Sequence, residues 1–264
     1  MTITIQHVLD RLMEPVQKQK VTVDALKVGD KDALVKGIAT TFIATNEVIQ
    51  QSVDLGVNLL ITHEGIYYKH HDKKDRLLND PVTLEKKRLI EKSNIAIFRF
   101  HDYLHAYKPD GIMTGLLHSL SWESNVEKSY YDASILSIPV MSLEEIAEYI
   151  KRKLNIPYVR VVGDLSMICE RIGILVGYRG GGENTIPLFN QDQLDLIITG
   201  EGPEWETPEY VRDAVQQGRK KALIVLGHAE SEKPGMLYLA NQIQSIYPNV
   251  PVHFIDEKPV FQII

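Results

Sequence analysis

Histidine and carboxylate side chains follow three apolar segments of the chain, at or just beyond the point where each segment ends. Residues 57–62 lead into His63 and Glu64, residues 95–100 lead into His101 and His105, and residues 222–226 lead into His228 and Glu232. Imidazole and carboxylate together are ligands that zinc, iron and manganese accept in proteins. The residue types and their placement therefore indicate a metal site.

The number of these side chains favours two ions over one. A helix that begins at His228 would place His228 and Glu232 on one face, because they are four residues apart. A catalytic zinc ion usually takes three protein ligands and a water. Two divalent ions about 3.5–4 Å apart, sharing a bridging carboxylate, account better for a larger set. We therefore expect two ions of zinc, iron or manganese per subunit, bound by His63, Glu64, His105, His228 and Glu232.

Other roles stay open for some of these residues. A histidine after a strand can also be an ordinary hydrogen-bonded polar group, and Glu64 could be an acid in the first turn of a helix or a salt-bridge partner. The pair His101–Asp102 looks like that of HD-type phosphohydrolases, but those proteins are all-helical and this pair follows a predicted strand. We expect His101 to orient a ligand or a bound water, with an ordinary core histidine as the alternative.

Three further segments are polar or rich in glycine. His70 and His71 stand in a lysine-rich run that predicts a solvated loop, with a flap over the site as the alternative. Residues 177–182 and 199–202 follow predicted strands but lack the spacing of dinucleotide-binding and P-loop motifs. Tight turns are the favoured interpretation of both. If both turns face the metals, their backbone N–H groups would be donors to a substrate.

Short apolar segments alternate with segments of helical period, which predicts an α/β fold with largely parallel sheets. Strands are predicted at 57–62, 95–100, 171–176, 194–198, 222–226 and 250–255. Helices are predicted at 47–55 with Asn46 as N-cap, at 143–154 after a capping box, at 207–218 and at 234–247. In open α/β sheets ligands bind at the carboxyl ends of strands, where the candidate metal ligands stand.

The chain divides into two predicted lobes. A polar stretch at 121–129 is a candidate crossing between them, after which the same alternation of strands and helices restarts. We predict a first α/β lobe from residues 1–125 plus 226–264, which carries most metal ligands, and a second from residues 126–225.

Composition narrows the classes of function. The net charge of −6 argues against a general nucleic-acid surface. Cys169 is the single cysteine, so an internal disulfide and a thiolate zinc site are excluded, and we expect a buried, inert thiol. No signal peptide or apolar run of about 20 residues is present, which predicts a cytoplasmic protein without a membrane span.

Four blocks of the sequence resemble one known family, in the family's order and over essentially the whole chain. They are LLITHEG at 59–65, FHDYLH at 100–105 followed by Gly111, DLIITGE at 195–201, and LGHAESEKPG at 226–235. The last block is close to the most specific signature, a glycine and histidine followed by a glutamate four residues after the histidine. The chain is thus similar to the NIF-three-like family, whose members are often labelled GTP cyclohydrolase type 2 homologues.

The resemblance implies two related α/β/α lobes, a dinuclear metal centre and a toroidal homohexamer whose metal sites face its cavity. His63, His228 and Glu232 match family ligands directly. Glu64 stands where the family has a second histidine, and His105 stands where it has an aspartate. Three histidines and two carboxylates remain in total, so we expect a retained centre with altered geometry.

Two functions are compatible with this site. The first is a metal-dependent hydrolase, of cyclohydrolase or phosphoesterase type, that acts on a small nucleotide-like or phosphorylated substrate. In such a hydrolase, two ions would bind the substrate between them and lower the pKa of a bridging water. His101 and Glu201 are the candidates for a catalytic acid or base. The alternative is a non-enzymatic, ring-shaped, metal-binding scaffold or adaptor.

Overall fold

A computed structural model of the chain describes residues 3–70 and 79–264. The chain forms two compact units, Met1–Gly111 with Met236–Ile264, and Ile112–Gly235. Residues 112–125 and 226–235 belong to the second unit, whereas the predicted division assigns them to the first lobe. His228 and Glu232 therefore lie in the second unit, and the other predicted ligands lie in the first.

The first unit contains a five-stranded sheet in the order β1-β4-β3-β2-β11. β2, β3, β4 and β11 are parallel, and β1 pairs antiparallel with β4. The elements of the unit are α1 (Ile5–Met13), β1 (Ala25–Val28), β2 (Ile38–Thr41), α2 (Asn46–Asp54), β3 (Leu59–Thr62), α3 (Pro81–Ser93), β4 (Ala96–Arg99), α4 (Asp102–His105) and β11 (Val252–Phe254).

The second unit contains a six-stranded mixed sheet in the order β5-β6-β8-β9-β10-β7, with β8, β9 and β10 parallel. Its elements are α5 (Gly111–Leu120), a 3-10 helix (Glu123–Asn125), β5 (Val126–Ser129), β6 (Ser134–Ser142), α6 (Leu143–Leu154), β7 (Arg160–Val162), β8 (Ile168–Leu175), α7 (Gly182–Gln191), β9 (Leu196–Thr199), α8 (Thr207–Gln216) and β10 (Ala222–Val225). α9 (His228–Ile246) begins in this unit and ends in the first.

The predicted α/β fold class is confirmed by these two sheets with their helices. Each unit has its own apolar core, in which β-branched and leucine side chains of the central strands pack against helices. β3, β4, β9 and β10 are buried along their whole length, which explains why they read as continuous apolar runs. Among the described residues, no helix combines the length and the apolar composition that a membrane crossing requires.

Some predicted boundaries were wrong. Thr45, not Asn46, caps α2, because the Thr45 side chain accepts a hydrogen bond from the Val48 N–H. α9 begins at His228, six residues before the predicted start at Pro234, so Pro234 is inside the helix rather than at its first position. α7 is absent from the sequence prediction, because its glycine at the start and Pro187 within it obscured the helical pattern. The capping box of Ser142 and Glu145 is confirmed.

Candidate metal centre

Three histidines meet at the carboxyl ends of β3 and β4 in the first unit. His63 directly follows β3, and His101 follows β4 by two residues. α4 then carries His105 one turn further on. The ring of His63 is stacked on that of His101, with centroids 4.5 Å apart. His105 meets both rings edge-on, with its centroid 5.0 Å from that of His63 and 4.9 Å from that of His101.

An oxygen atom lies within hydrogen-bond distance of the Nδ1 of each ring. His63 Nδ1 is 3.2 Å from the backbone oxygen of Phe100. His101 Nδ1 is 2.8 Å from Asp102 Oδ1, and His105 Nδ1 is 2.9 Å from Asp110 Oδ2. A carbonyl oxygen or ionised carboxylate can only accept, so each Nδ1 donates its proton. In the neutral imidazole the lone pair is then on Nε2, as in metal-ligating histidines.

Asp102 is held ionised in this arrangement. Burial favours its neutral form, but hydrogen bonds from His101, the Val23 N–H and the Thr22 hydroxyl more than offset burial and hold its pKa well below the usual range. A permanent carboxylate at this place stabilises the Nδ1–H tautomer of His101. Asp24 fixes the same turn, because its carboxylate accepts from the backbone N–H groups of residues 101–103.

Glu64 pairs with a buried arginine. Glu64 Oε2 accepts from Arg99 Nη2 at 2.8 Å and from the Gly65 N–H at 3.1 Å, and the Arg99 side chain has no exposed surface. Glu64 Oε1 is 3.7 Å from His101 Nε2. Burial raises the pKa of Glu64, but the charges of His101, His63 and Arg99 outweigh burial, and the net shift is downward. Glu64 is therefore an ionised carboxylate beside the imidazoles.

His70 lies next to this pair. Its Nδ1 is 3.1 Å from Arg99 Nη2, and its backbone oxygen accepts from Arg99 Nη1. The His70 ring meets that of His101 edge-on, with centroids 5.0 Å apart. His71, the other histidine of the predicted loop or flap, lies outside the described residues.

The second unit holds a histidine between two carboxylates. His228 begins α9, and its Nε2 is 3.1 Å from Glu232 Oε2, one helical turn away. Its Nδ1 is 2.9 Å from Oε1 of Glu201, which follows β9. Burial lowers the pKa of His228, but the hydrogen bonds and charges of Glu232 and Glu201 outweigh burial and raise its pKa to about 9. These two carboxylates therefore favour the protonated, positively charged form of His228.

The two glycine-rich turns pack against this pair. A Cβ atom on Gly177 would be 2.1 Å from Glu232 Oε1 and 3.3 Å from His228 Nε2. Gly177 N–H donates to Ser231 Oγ, and Glu201 N–H donates to the Gly177 oxygen. The sequence prediction of tight turns omitted this contact. Gly177 has a φ of +60°, which glycine adopts most readily, and a side chain there would displace the Glu232 carboxylate.

The predicted site residues thus form two groups. The first unit brings together His63, Glu64, His101 and His105, and the second brings together Glu201, His228 and Glu232. Candidate ligand atoms of His63, His101 and His105 all lie within 4.8 Å of one another, as do those of Glu64, His70 and His101. Sequence reasoning missed Asp110, Arg99 and Ser231. An acidic residue five positions after His105 was the available signal for Asp110.

The donor chemistry fits a divalent metal ion. In the first unit, three imidazoles with engaged Nδ1 atoms suit the borderline-soft ions. In the second unit, His228 and Glu232 offer one nitrogen and one oxygen donor. No thiolate takes part, because Cys169 is buried and burial together with the Asp195 charge raises its pKa to about 12.

The fold and the site define a class, an α/β protein with two sheets and candidate metal-ligand side chains at the carboxyl ends of parallel strands. The sequence profile of one family, described as Duf34/NIF3 (NGG1p interacting factor 3), matches residues 2–259. The chain belongs to this family, which confirms the resemblance found in the sequence.

Several relatives and solved structures are similar along most of the chain. It is 25% identical over 228 residues to a GTP cyclohydrolase 1 type 2 homolog of Clostridium acetobutylicum, covering 83% of this chain and 80% of the relative. A Bacillus cereus protein related to NIF3 superimposes with a TM-score of 0.79 at 14% identity over 100% of both chains. A Staphylococcus aureus hypothetical protein has a TM-score of 0.73 at 20% identity, also over 100% of both chains. At these identities the two structures demonstrate a shared fold alone.

Proposed function

We propose that this protein is a metal-dependent hydrolase of a small nucleotide-like or phosphorylated substrate. The observation that carries the proposal is the cluster of His63, His101 and His105, in which an oxygen accepts from each Nδ1. Metal-ligating histidines almost always donate their other ring N–H to such an oxygen, which orients the ring toward the ion. The name of the Clostridium acetobutylicum relative, a GTP cyclohydrolase homolog, supports a nucleotide-like substrate.

The chain's own groups have separable tasks in this proposal. His63, His101 and His105 would hold one ion, and His228 with Glu232 would hold another. A bound divalent ion supplies Lewis-acid polarisation of a carbonyl or phosphoryl oxygen. Asp102, Asp110 and Glu201 keep the ligand rings in place through Nδ1. The single dinuclear centre expected from the sequence stays a prediction.

Elemental analysis and a substrate panel test the proposal. We expect about two transition-metal ions per chain after reconstitution with zinc, manganese or iron, as two-metal hydrolases hold. Hydrolysis of at least one nucleotide or phosphoester should depend on them. Metal content below about half an ion per chain would contradict the proposal. Bound metal with no turnover across the panel would favour the metal-binding scaffold instead.

A matched pair of variants identifies the carboxylate on which the function depends. Glu232→Gln is nearly isosteric and should release at least one ion and abolish any hydrolysis found. Glu123→Gln is its control, because Glu123 also pairs with a histidine, His118, on an exposed surface. Retention of full metal content in Glu232→Gln would remove Glu232 from the ligand set.

A further inference from the structure

We infer that His101 completes an all-imidazole ligand set with His63 and His105 in the first unit, and that Glu64 is not a ligand of that ion. The inference rests on the proposed metal binding and specifies its ligands. It departs from the expectation that Glu64 replaces the second family histidine as a ligand. It also gives His101 a direct role rather than that of orienting another ligand.

His101 can serve one ion only. Its Nδ1 donates to Asp102, which hydrogen bonds from Thr22 and Val23 hold in place, so its single donor atom for a metal is Nε2. The two candidate groups of the first unit both require that atom, one with His63 and His105 and the other with Glu64 and His70. The two groups therefore exclude each other.

The buried guanidinium decides against the group that contains Glu64. Arg99 is fully buried, and a buried guanidinium is stabilised by a carboxylate beside it. Glu64 supplies that carboxylate through Oε2 at 2.8 Å. A metal on Glu64 Oε1 would place a second cation beside Arg99 and divide the single negative charge of Glu64 between the two. The charge of Arg99 also weakens Glu64 as an electron-pair donor.

The imidazole group has no such conflict. Each ring already donates its Nδ1 proton to an oxygen, so a metal at Nε2 displaces no existing Nδ1 bond. Asp102 and Asp110 increase the basicity of their rings, as carboxylates do behind metal-ligating histidines. His63 and His105 are buried, at 0% and 8% exposure, which limits competition from solvent.

The ligand set predicts which ions the first unit accepts. Three nitrogen donors favour Zn²⁺ and Co²⁺, whereas Mg²⁺ and Mn²⁺ prefer carboxylate, carbonyl and water oxygens. We therefore expect the first unit to bind Zn²⁺ and Co²⁺ and to bind Mn²⁺ at least about tenfold more weakly, in keeping with the Irving–Williams order.

Nuclear magnetic resonance of the Co²⁺-loaded protein identifies the ligands of this site without any assay of activity. In the full-length Co²⁺ protein, each ligand imidazole with a protonated Nδ1 should give one paramagnetically shifted N–H proton signal that disappears in D₂O. We expect such signals for His63, His101 and His105, besides that of His228. Competition against Mn²⁺, followed by the electron paramagnetic resonance of free Mn²⁺, measures the preference between ions.

Two glutamine variants then assign the third ligand. His101→Gln should lower the Co²⁺ affinity of the first unit at least about tenfold, the loss expected even for groups that only support a ligand. It should also remove one of the three shifted N–H signals of that site. Glu64→Gln should keep all three signals, because the glutamine amide oxygen can still accept a hydrogen bond from Arg99. Circular dichroism verifies the fold of each variant, and the signal count in the unmodified protein tests the inference independently of the variants.

The outcomes separate the inference from the proposed function. If the unmodified protein binds Co²⁺ but His101→Gln leaves the shifted signals intact while Glu64→Gln removes them, the inference is wrong and metal binding stands. The same holds if fewer than three imidazole N–H signals come from the first unit. If the unmodified protein binds no ion at all, the proposed function and the inference fall together.

Discussion

Asp110 accepts from the Nδ1 of His105 at 2.9 Å and so determines which nitrogen of that ring can bind a metal. Asp110→Asn should lower metal affinity about 10- to 100-fold, because the neutral amide is a weaker acceptor and can turn its N–H₂ group toward the ring. Titration with a chromophoric chelator measures the change. Glu123→Gln at the exposed His118 pair is the control, and equal affinities in the two variants would contradict the assignment.

Gly177 lies against the Glu232 carboxylate at a distance that no larger residue allows. Gly177→Ala should displace Glu232, weaken metal binding by the second unit and lower the free energy of unfolding by about 1–3 kcal/mol, a sum of strain and contact. Gly218→Ala is a matched control, because Gly218 also has a positive φ, +72°, but a Cβ there would meet nothing within 4 Å. Metal affinity that falls equally in both variants would show that strain alone is responsible.

Lys86 is a buried amine whose charge the fold tolerates poorly. Its Nζ donates to the Ile66 oxygen at 2.7 Å, and burial lowers its pKa from 10.5 to about 8. Between these values the unfolded chain binds more protons, so this residue makes stability rise with pH, and the gain is lost as pH falls through about 8. Urea unfolding between those pH values should show this rise relative to Lys86→Met. Parallel pH profiles would contradict it.

At the scale of elements, α5 and α9 cross closely because each has a glycine at the contact. A Cβ on Gly115 would be 2.4 Å from the Gly235 Cα and 2.6 Å from the Pro234 oxygen. Both glycines lie in the second unit, which contains residues 112–125 and 226–235. The crossing also braces the part of α9 that carries His228 and Glu232.

Gly115→Ala tests the crossing. It should lower the free energy of unfolding by about 1–3 kcal/mol, the usual range for an overpacked contact, although alanine is the better helix former. Urea unfolding measures the difference. His118→Ala, on the exposed side of the same helix, should change stability by less than about 0.5 kcal/mol. A stabilising effect of Gly115→Ala would show that the helices do not approach this closely.

At the scale of the whole molecule, we expect self-association. The resemblance to the family implies a homohexamer, and closed rings are a common form of soluble assembly. Light scattering at micromolar concentration should give a mass several times the 30.0 kDa of one chain. A value near that of one chain would contradict the ring, and it would leave the metal predictions intact.

Much of the architecture could be predicted from the sequence, because its signals are local. Buried parallel strands read as apolar runs, which located β3, β4, β9 and β10 within a few residues. The capping box of α6 was also predicted from the sequence. The positions of the histidines and carboxylates could then be predicted as well, because the topology of parallel sheets brings residues that follow the strands to one edge.

Only the tertiary structure decided how those side chains are used. Glu64 and Arg99 are 35 positions apart, and His228 and Glu201 are 27 apart, so no local pattern predicts either pair. The sequence predicted α9 from Pro234 onward. Its start at His228 depends on packing around Gly227 and His228. The sequence by itself determined which residues could bind a metal and where the strands deliver them. Which nitrogen each histidine presents, and that Arg99 engages Glu64, depend on contacts that exist only once distant segments have packed together.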